Sequence, residues 1–146
     1  MFALQSSVWT HGAALLGALL FAVIGGFHVA WAAGVRFGVG AAVPELEGRP
    51  LFTPPRGLTL LIGLGLLASA WLVLALGGFL PAPLPGSWLR LAGVLAAVVF
   101  GLRTLGDGRF CGLSKRVRGT RFARFDDLLF TPISFTLCAA LVLQLI

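Results

Sequence analysis

Long apolar runs alternate with shorter polar segments along the chain, and this pattern predicts helices that cross a membrane. A helix needs roughly 20 apolar residues to span the hydrocarbon core of a bilayer, and several runs approach or exceed that length. They lie at about 13–33, 54–79, 88–105 and 129–146. These runs and their connections account for residues 1–146, so we expect a single all-α integral membrane domain.

The connections between the runs predict how the helices are arranged. The prolines of the segment 80–86 favour a tight hairpin between the second and third runs, and Ser87 is a suitable N-cap for the third. Helices joined in this way are antiparallel, so we expect an up-down-up-down four-helix bundle. Both chain termini would then lie at the end that carries the hairpin, and the longer loops 34–53 and 106–128 at the other.

Composition and charge strengthen this interpretation and give it an orientation. The chain is 58% hydrophobic with a mean hydropathy of +0.99, and only 11% of its residues are charged, against about 25% in an average soluble domain. Of its 11 Lys and Arg residues, all but Arg90 lie in or beside the two longer loops. Because positive loops stay in the cytoplasm, we expect both loops inside and both termini outside the cell inner (cytoplasmic) membrane.

The net charge of +6 also bears on partners. Cations placed between apolar runs favour membrane lipids with anionic headgroups as partners, and we expect no nucleic acid. The first cation is Arg36, so the first run lacks the positive start of a signal peptide. Cys111 and Cys138 form no C-x-x-C pair, and His11 and His28 are about 26 Å apart along a helix. We therefore expect no metal site and no cofactor.

Small residues recur at four-residue spacing in three of the runs, and such faces let membrane helices approach closely. One interpretation is packing within a single bundle, which we rank first. The other is a homodimer that associates through these faces. The residues are Ala18, Ala22 and Gly26, then Gly65 and Ser69, and finally Gly93, Ala97 and Gly101.

The basic stretch 106–128 contains acids and glycines that simple membrane anchoring does not need. Arg103 and Asp107 would share a helix face if the third helix continued through Gly106. Asp126 could instead pair with Arg103 or Arg109 and close the loop onto the bundle. The interspersed aromatic residues and cations are also typical of a segment lying in the headgroup region.

A faint internal repeat joins the two longer loops. Leu-Phe-Thr-Pro occurs at 51–54 and again at 129–132, before the second and fourth runs. A duplication related by an axis along the membrane normal would produce this pattern. The simpler explanation is that Thr followed by Pro is a favourable start for a helix.

In the first run, His28 and Trp31 are three residues apart and so share a helix face. An ionisable side chain inside a membrane is by default a functional candidate. His28 lies near the inner end of the run, where its ring could instead bond to a backbone carbonyl of a neighbour. We slightly favour this structural role.

The chain resembles the bacterial family called domain of unknown function 3995, which consists of small proteins with four predicted membrane helices. The resemblance implies a fold and a candidate surface, but no activity. Gly108 and Phe130 depart from the family pattern, in which an aromatic residue and Tyr are expected. The matching residues are His28, Trp31 and Gly34, followed by Arg103, Gly106, Asp107, Arg109, Gly112, Lys115, Gly119, Thr120, Phe122, Asp126, Thr131 and Pro132.

We rank first a binding module that holds an anionic lipid or an amphipathic small molecule at its cytoplasmic face. In this hypothesis cations bind the anionic head, acids hold the cations in place, and an aromatic pair lines an apolar floor. The candidate ligand-binding residues are His28, Trp31, Arg103, Asp107, Arg109, Lys115 and Asp126.

Two other hypotheses remain open. A membrane-embedded enzyme acting on a lipid or quinone could use His28 as acid or base near pH 7, with Asp107 or Asp126 as its partner. An oligomeric transporter of small solutes could line its path with His28 and Arg103. We rank the enzyme second and the transporter third.

Overall fold

A computed structural model describes the backbone of residues 2–146 and the side chains of residues 8–146. Within this range the chain is mostly helical, and a small two-stranded hairpin interrupts the first long loop. The elements are α1 (Phe2–Ala32), α2 (Val39–Ala42), β1 (Glu45–Leu46), β2 (Arg49–Pro50), α3 (Arg56–Leu76), α4 (Gly86–Leu105), α5 (Arg121–Phe125), a π-helical turn (Asp126–Phe130) and α6 (Thr131–Leu145).

Among the described residues, four helices are long and apolar enough to cross a membrane. Their positions agree with the four predicted runs, but most of the predicted ends shift. The third helix begins at Gly86 after Pro85, so Ser87 lies inside it and is not its N-cap. The four segments are Val8–Ala32, Arg56–Leu76, Gly86–Leu105 and Arg121–Leu145, against predictions of 13–33, 54–79, 88–105 and 129–146.

The largest shift is at the fourth helix, which begins at Arg121 rather than at 129. Proline inside a helix lacks the N–H that would bond one turn back and crowds the preceding carbonyl. The π-helical turn resolves this conflict just before Pro132, because Thr131 N–H bonds to the carbonyl of Asp126, five residues earlier. Thr131 and Pro132 are thus inside a continuous helix, and the prediction that they begin it was wrong.

The two copies of Leu-Phe-Thr-Pro therefore take different structures. In the first copy, Thr53 and Pro54 lie outside any helix, and α3 begins only at Arg56 after a second proline, Pro55. In the second copy, the same residue types lie within a helix. The shared motif does not mark equivalent helix starts.

Glycine and alanine allow the helices to approach one another closely. A Cβ placed on Gly25 would lie 3.1 Å from the carbonyl oxygen of Gly63, and one on Gly17 would lie 2.9 Å from Ala140. Cys138 donates a hydrogen bond of 3.3 Å to the carbonyl of Ala97, joining α4 and α6. Of the predicted small-residue faces, the one on α4 packs within the chain, and Ala18 of α1 is buried, whereas Ala22, Gly26 and Gly65 are exposed. The homodimer stays a prediction.

The core of the molecule is centred on Phe21, whose ring packs edge-on against Phe100 with ring centres 5.0 Å apart. Beyond the core, one long-range contact joins the first long loop to the start of the fourth helix: the carboxylate of Glu45 accepts a hydrogen bond of 2.6 Å from Arg121 N–H. At the other end, Gln144 donates a hydrogen bond to the carbonyl of Thr10. The loop end is the one that holds the candidate site.

Candidate functional site

Asp126 is completely buried and forms the centre of a polar cluster at the loop end. Its Oδ1 accepts a hydrogen bond of 2.5 Å from Nη2 of Arg103. Its Oδ2 accepts from Gly112 N–H at 2.8 Å, from Lys115 Nζ at 2.9 Å and from Thr131 Oγ1 at 3.0 Å. Two cations and two neutral donors thus compensate a carboxylate that water does not reach. The π-helical turn supplies this position, because Asp126 is its first residue.

Lys115 is the second buried charge of the cluster, and only 1% of its side chain is exposed. Its ammonium group donates to Asp127 at 2.6 Å, to Asp126 at 2.9 Å and to the carbonyl of Gly112 at 3.2 Å. These bonds use all three N–H groups of a lysine. Lys115 therefore fastens the loop to the start of the fourth helix, and no donor is left for an external ligand.

The ionisation of Lys115 makes the cluster sensitive to alkaline pH. Burial alone would lower the pKa of Lys115, but the hydrogen bonds and negative charges of Asp127 and Asp126 outweigh it and raise the pKa above 10.5. When the pKa of a group is higher in the folded state than in the unfolded state, the group stabilises the fold. This contribution is complete at pH values below the pKa of the unfolded state. This contribution is lost as the pH rises through the folded pKa.

We therefore expect the free energy of unfolding to fall as the pH rises from about 10 to 12. Lys115 is the only lysine, and the chain contains no tyrosine, so few other groups titrate in this range. Equilibrium unfolding in detergent, followed by tryptophan fluorescence against pH, measures the effect. Lys115→Met should be less stable at neutral pH but should lack the alkaline decrease. Equal pH profiles for the two proteins would contradict the assignment.

Arg103 differs from Lys115 in having a buried side-chain nitrogen without a partner. Its Nη2 binds Asp126, but its Nη1 is buried and has no hydrogen-bond partner, alone among the buried side-chain nitrogen and oxygen atoms of the described residues. A buried donor without a partner costs about 1–3 kcal/mol, and more when it is charged. The side chain as a whole is 30% exposed, although Nη1 itself is buried.

The segment after Arg103 folds back tightly on itself, which prevents the predicted pairing of Arg103 with Asp107. α4 ends at Leu105, and Gly106 turns the chain with φ +91°. The backbone of Gly112 then packs directly on Gly106, and a Cβ on either residue would overlap the backbone of the facing segment. The helical continuation that would have aligned Arg103 with Asp107 is therefore absent.

Asp107 instead organises the turn that follows. Its Oδ1 accepts hydrogen bonds from the N–H groups of Arg109, Phe110 and Cys111, at 2.7–3.0 Å. Partial burial would raise the pKa of Asp107, but these bonds outweigh it and hold the pKa below 3.8. Asp107 is thus a structural acceptor of backbone donors.

Arg109 points away from the cluster. Its side chain is exposed, and its guanidinium carbon lies 4.9 Å from the ring centre of Phe110. It forms no ion pair with any described residue. Arg109 is therefore a surface cation within reach of an anion, but the protein does not hold it in a fixed polar network.

His28 and Trp31 form a separate aromatic group on α1. Nδ1 of His28 bonds to the carbonyl of Ile24 at 2.8 Å, and Nε1 of Trp31 donates to the carbonyl of Phe37 at 2.7 Å. Their rings are 5.0 Å apart. No carboxylate among the described side chains pairs with His28, since Asp107 and Asp126 bind the groups described above. The predicted backbone partner of His28 is present, within its own helix.

The structure thus brings Arg103, Lys115 and Asp126 together and places the other four candidates elsewhere. Sequence reasoning missed the hydroxyl of Thr131 and the N–H of Gly112 as partners of Asp126. No sequence signal pointed to Thr131, because a five-residue separation brings side chains together only in a π-helical turn, which the sequence pattern did not predict. Within residues 8–146, no group of three His, Cys, Asp or Glu side chains could hold a metal ion.

The family model for proteins of unknown function called DUF3995 matches residues 21–141. The chain belongs to the DUF3995 family. The match includes every residue of the polar cluster and confirms the resemblance noted in the sequence. Comparisons of this DUF3995 protein with curated proteins and with solved structures gave no match.

Proposed function

We propose that the chain crosses the cell inner membrane four times, as an up-down-up-down bundle with its basic loops in the cytoplasm. Neighbouring residues support the order of the helices: Gly25 lies near Gly63, whereas Ala14, earlier in α1, lies near Gly77, which directly follows α3. Arg90, near the start of α4, likewise donates a hydrogen bond to the carbonyl of Leu145 at the end of α6. Each pair therefore runs in opposite directions.

Apolar side chains on the outside of the bundle support its insertion in a bilayer. Leu19, Leu61, Val99 and Phe135, one from each long helix, are all more than half exposed. A continuous apolar exterior would cause association in water, but it is the favourable surface in hydrocarbon. The concentration of cations at the loop end supports the proposed orientation.

We further propose that the loop end binds the anionic headgroup of a membrane lipid. The observation that carries this proposal is the free Nη1 of Arg103, beside a cluster in which every other buried polar side-chain atom has a partner. A guanidinium group that already holds Asp126 through one nitrogen can bind a phosphate oxygen through the other. The exposed Arg109 adds a second cation to the same loop.

The cluster around Asp126 has a supporting role in this proposal. An arginine in a flexible loop loses side-chain entropy when it binds a ligand, whereas Arg103 is already held by Asp126. Lys115 and Thr131 fix Asp126 in turn. The candidate ligand residues of this proposal are therefore Arg103 and Arg109, and the acids and Lys115 position them.

We expect Arg103→Lys to weaken the retention of phosphatidylglycerol by about tenfold or more, because a lysine has a single terminal nitrogen in place of the two that would bind Asp126 and the phosphate separately. The measurement is native mass spectrometry of the purified protein, released from nanodiscs that contain phosphatidylglycerol and phosphatidylcholine with identical chains. The positive charge is unchanged by this substitution, so a general loss of attraction is not the cause.

Arg116→Lys is the matched control, because Arg116 is an exposed arginine in the loop after α4 that forms no ion pair with any described residue. It should retain phosphatidylglycerol as the original protein does. Both variants should melt within a few degrees of the original, since Asp126 keeps Lys115 as a partner. Equal retention of phosphatidylglycerol by the two variants would show that water alone satisfies Arg103, and would refute the proposal.

A further inference from the structure

The chain turns sharply where α1 ends, and a glycine makes this turn possible. The N–H of Val35 donates to the carbonyl of Ala30, and the N–H of Gly34 donates to the carbonyl of Trp31, both at 3.0 Å. These two bonds form a Schellman motif, in which a left-handed residue follows the helix. Gly34 supplies that residue, with φ +105°. We call residues 34–38 the 34–38 turn.

The 34–38 turn lies back against the side of α1. The ring of Phe37 stacks on the ring of Phe27, with ring centres 6.5 Å apart and an angle of 22° between the planes. Nε1 of Trp31 donates to the carbonyl of Phe37 at 2.7 Å, and a Cβ on Gly38 would lie 3.8 Å from the Trp31 ring. Because Phe27 precedes the last residue of α1, Ala32, by about 8 Å of helix rise, Phe37 lies beside this helix and not beyond its end.

Phe37 extends an apolar stripe on the outside of α1. Leu16, Leu19, Val23 and Phe27 follow one another at spacings of three and four residues, so they share a helix face. Each of them is between 42% and 60% exposed, and Phe37 is 76% exposed. If α1 crosses a membrane, lipid chains cover this stripe. They then also meet Phe37, whose ring adjoins the inner end of the stripe.

The depth of Phe27 in the membrane agrees with a lipid contact at Phe37. The apolar segment Val8–Ala32 contains 25 residues and is about 38 Å long, whereas the hydrocarbon core is about 30 Å thick. With the segment centred in the core, about 4 Å protrudes at each end, and Phe27 lies about 4 Å inside the hydrocarbon. Aromatic residues are enriched close to this level. Arg36, exposed beside Phe37, can extend from there to the headgroups.

Several polar atoms of the 34–38 turn are paired in a way that suits a membrane. A polar group that enters hydrocarbon without a partner is strongly unfavourable. The indole N–H of Trp31 and the carbonyl of Phe37 satisfy each other, although this bond lies at the surface of the protein. The N–H groups of Gly34 and Val35 bond to carbonyls of α1. In water these groups would need no partner from the protein.

We propose that the 34–38 turn is a lipid-binding surface, on which Phe37 inserts among the acyl chains of the cytoplasmic leaflet and Arg36 meets anionic headgroups. This inference rests on the proposed crossing of the membrane and adds a lipid contact outside the four helices. It places the beginning of the first long loop in the membrane interface, where the sequence alone predicted a cytoplasmic loop. The bilayer is the partner, because lipid also covers the adjoining stripe of α1.

Photocrosslinking from position 37 tests this contact. p-Benzoylphenylalanine in place of Phe37 keeps the aromatic ring and, on irradiation, bonds to nearby C–H groups. The same substitution at Leu61, which is 66% exposed on α3, marks a position that faces lipid in the proposed bundle. At Glu47, an exposed acid in the turn between β1 and β2, it marks the water side of the same loop. The three proteins are irradiated in liposomes of phosphatidylglycerol and phosphatidylcholine, and their adducts are identified by intact mass.

We expect lipid adducts at position 37 in a yield similar to that at 61, and several-fold less at 47. Equal yields at 37 and 47, with lipid adducts at 61, would overturn the inference and leave the membrane crossing intact. A protein adduct at 37 in place of the lipid adduct would show that a second copy covers Phe37, and would also overturn it. A lack of lipid adducts at 61 would overturn the proposed crossing and the inference with it.

Discussion

Asp126→Asn is expected to lower the free energy of unfolding by about 3–5 kcal/mol, the usual loss when one member of a buried charge pair is removed. Asn has nearly the same shape as Asp, but it has one acceptor oxygen where Asp126 uses two. Its amide N–H groups would also face donors of Arg103 or of Lys115 and Gly112. Equilibrium unfolding in detergent micelles, followed by tryptophan fluorescence, measures the change.

Asp127→Asn is the control for this prediction, because the neighbouring carboxylate also binds Lys115 but is half exposed. It should lower the free energy of unfolding by no more than about 1 kcal/mol. If Asp126→Asn does not fold, the double variant Asp126→Asn, Lys115→Met should restore part of the stability, since it also removes one uncompensated cation. Equal effects of the two single Asn variants would contradict a buried charge centre at Asp126.

The four apolar segments could be predicted from the sequence because a membrane imposes a length on every helix that crosses it. Their ends were harder to predict, since the ends depend on local bonds. Thr131 and Pro132 have the composition of a helix start, yet a π-helical turn allows the helix to pass through them. A pattern of apolar residues does not distinguish a proline that begins a helix from one that a wider turn accommodates.

The polar cluster was only partly predictable for a related reason. The pairing of Arg103 with Asp126 was one of the alternatives considered, because opposite charges near the ends of neighbouring helices attract. The burial of Lys115 could not be foreseen, since lysine among several arginines in a basic loop is normally solvated. Lys115 is buried because the backbone segments at Gly106 and Gly112 pack directly against each other. No periodic pattern in the sequence predicts such a contact.

This backbone contact connects the fold to the proposed function. Gly112 contributes its N–H to Asp126 and its carbonyl to Lys115, so the same residue fixes both charges of the cluster. Asp126 in turn holds the guanidinium group of Arg103. The position of the unpaired Nη1 of Arg103 therefore depends on how closely the backbone segments at 106 and 112 approach each other.

Gly112→Ala is therefore expected to have the other large effect on stability. Gly112 has φ +74°, which disfavours any residue with a side chain. Its Cβ would also overlap the backbone of Gly106 and lie 2.8 Å from the carbonyl carbon of Leu105. Backbone atoms cannot rotate away as a side chain could, so the loop must separate from the end of α4. We expect a loss of about 3 kcal/mol from this overlap alone, measured by unfolding in detergent micelles.

Gly108→Ala separates the overlap from the conformational cost. Gly108 also has φ +74°, but a Cβ there would meet no atom within 4 Å, so it should lose only about 1–2 kcal/mol. The difference between the two variants measures the backbone contact itself. Because separation of the loop also releases Asp126 and Lys115, Gly112→Ala should reduce phosphatidylglycerol retention as Arg103→Lys does, whereas Gly108→Ala should not. Equal stability of the two variants would mean that the loop does not need this close approach.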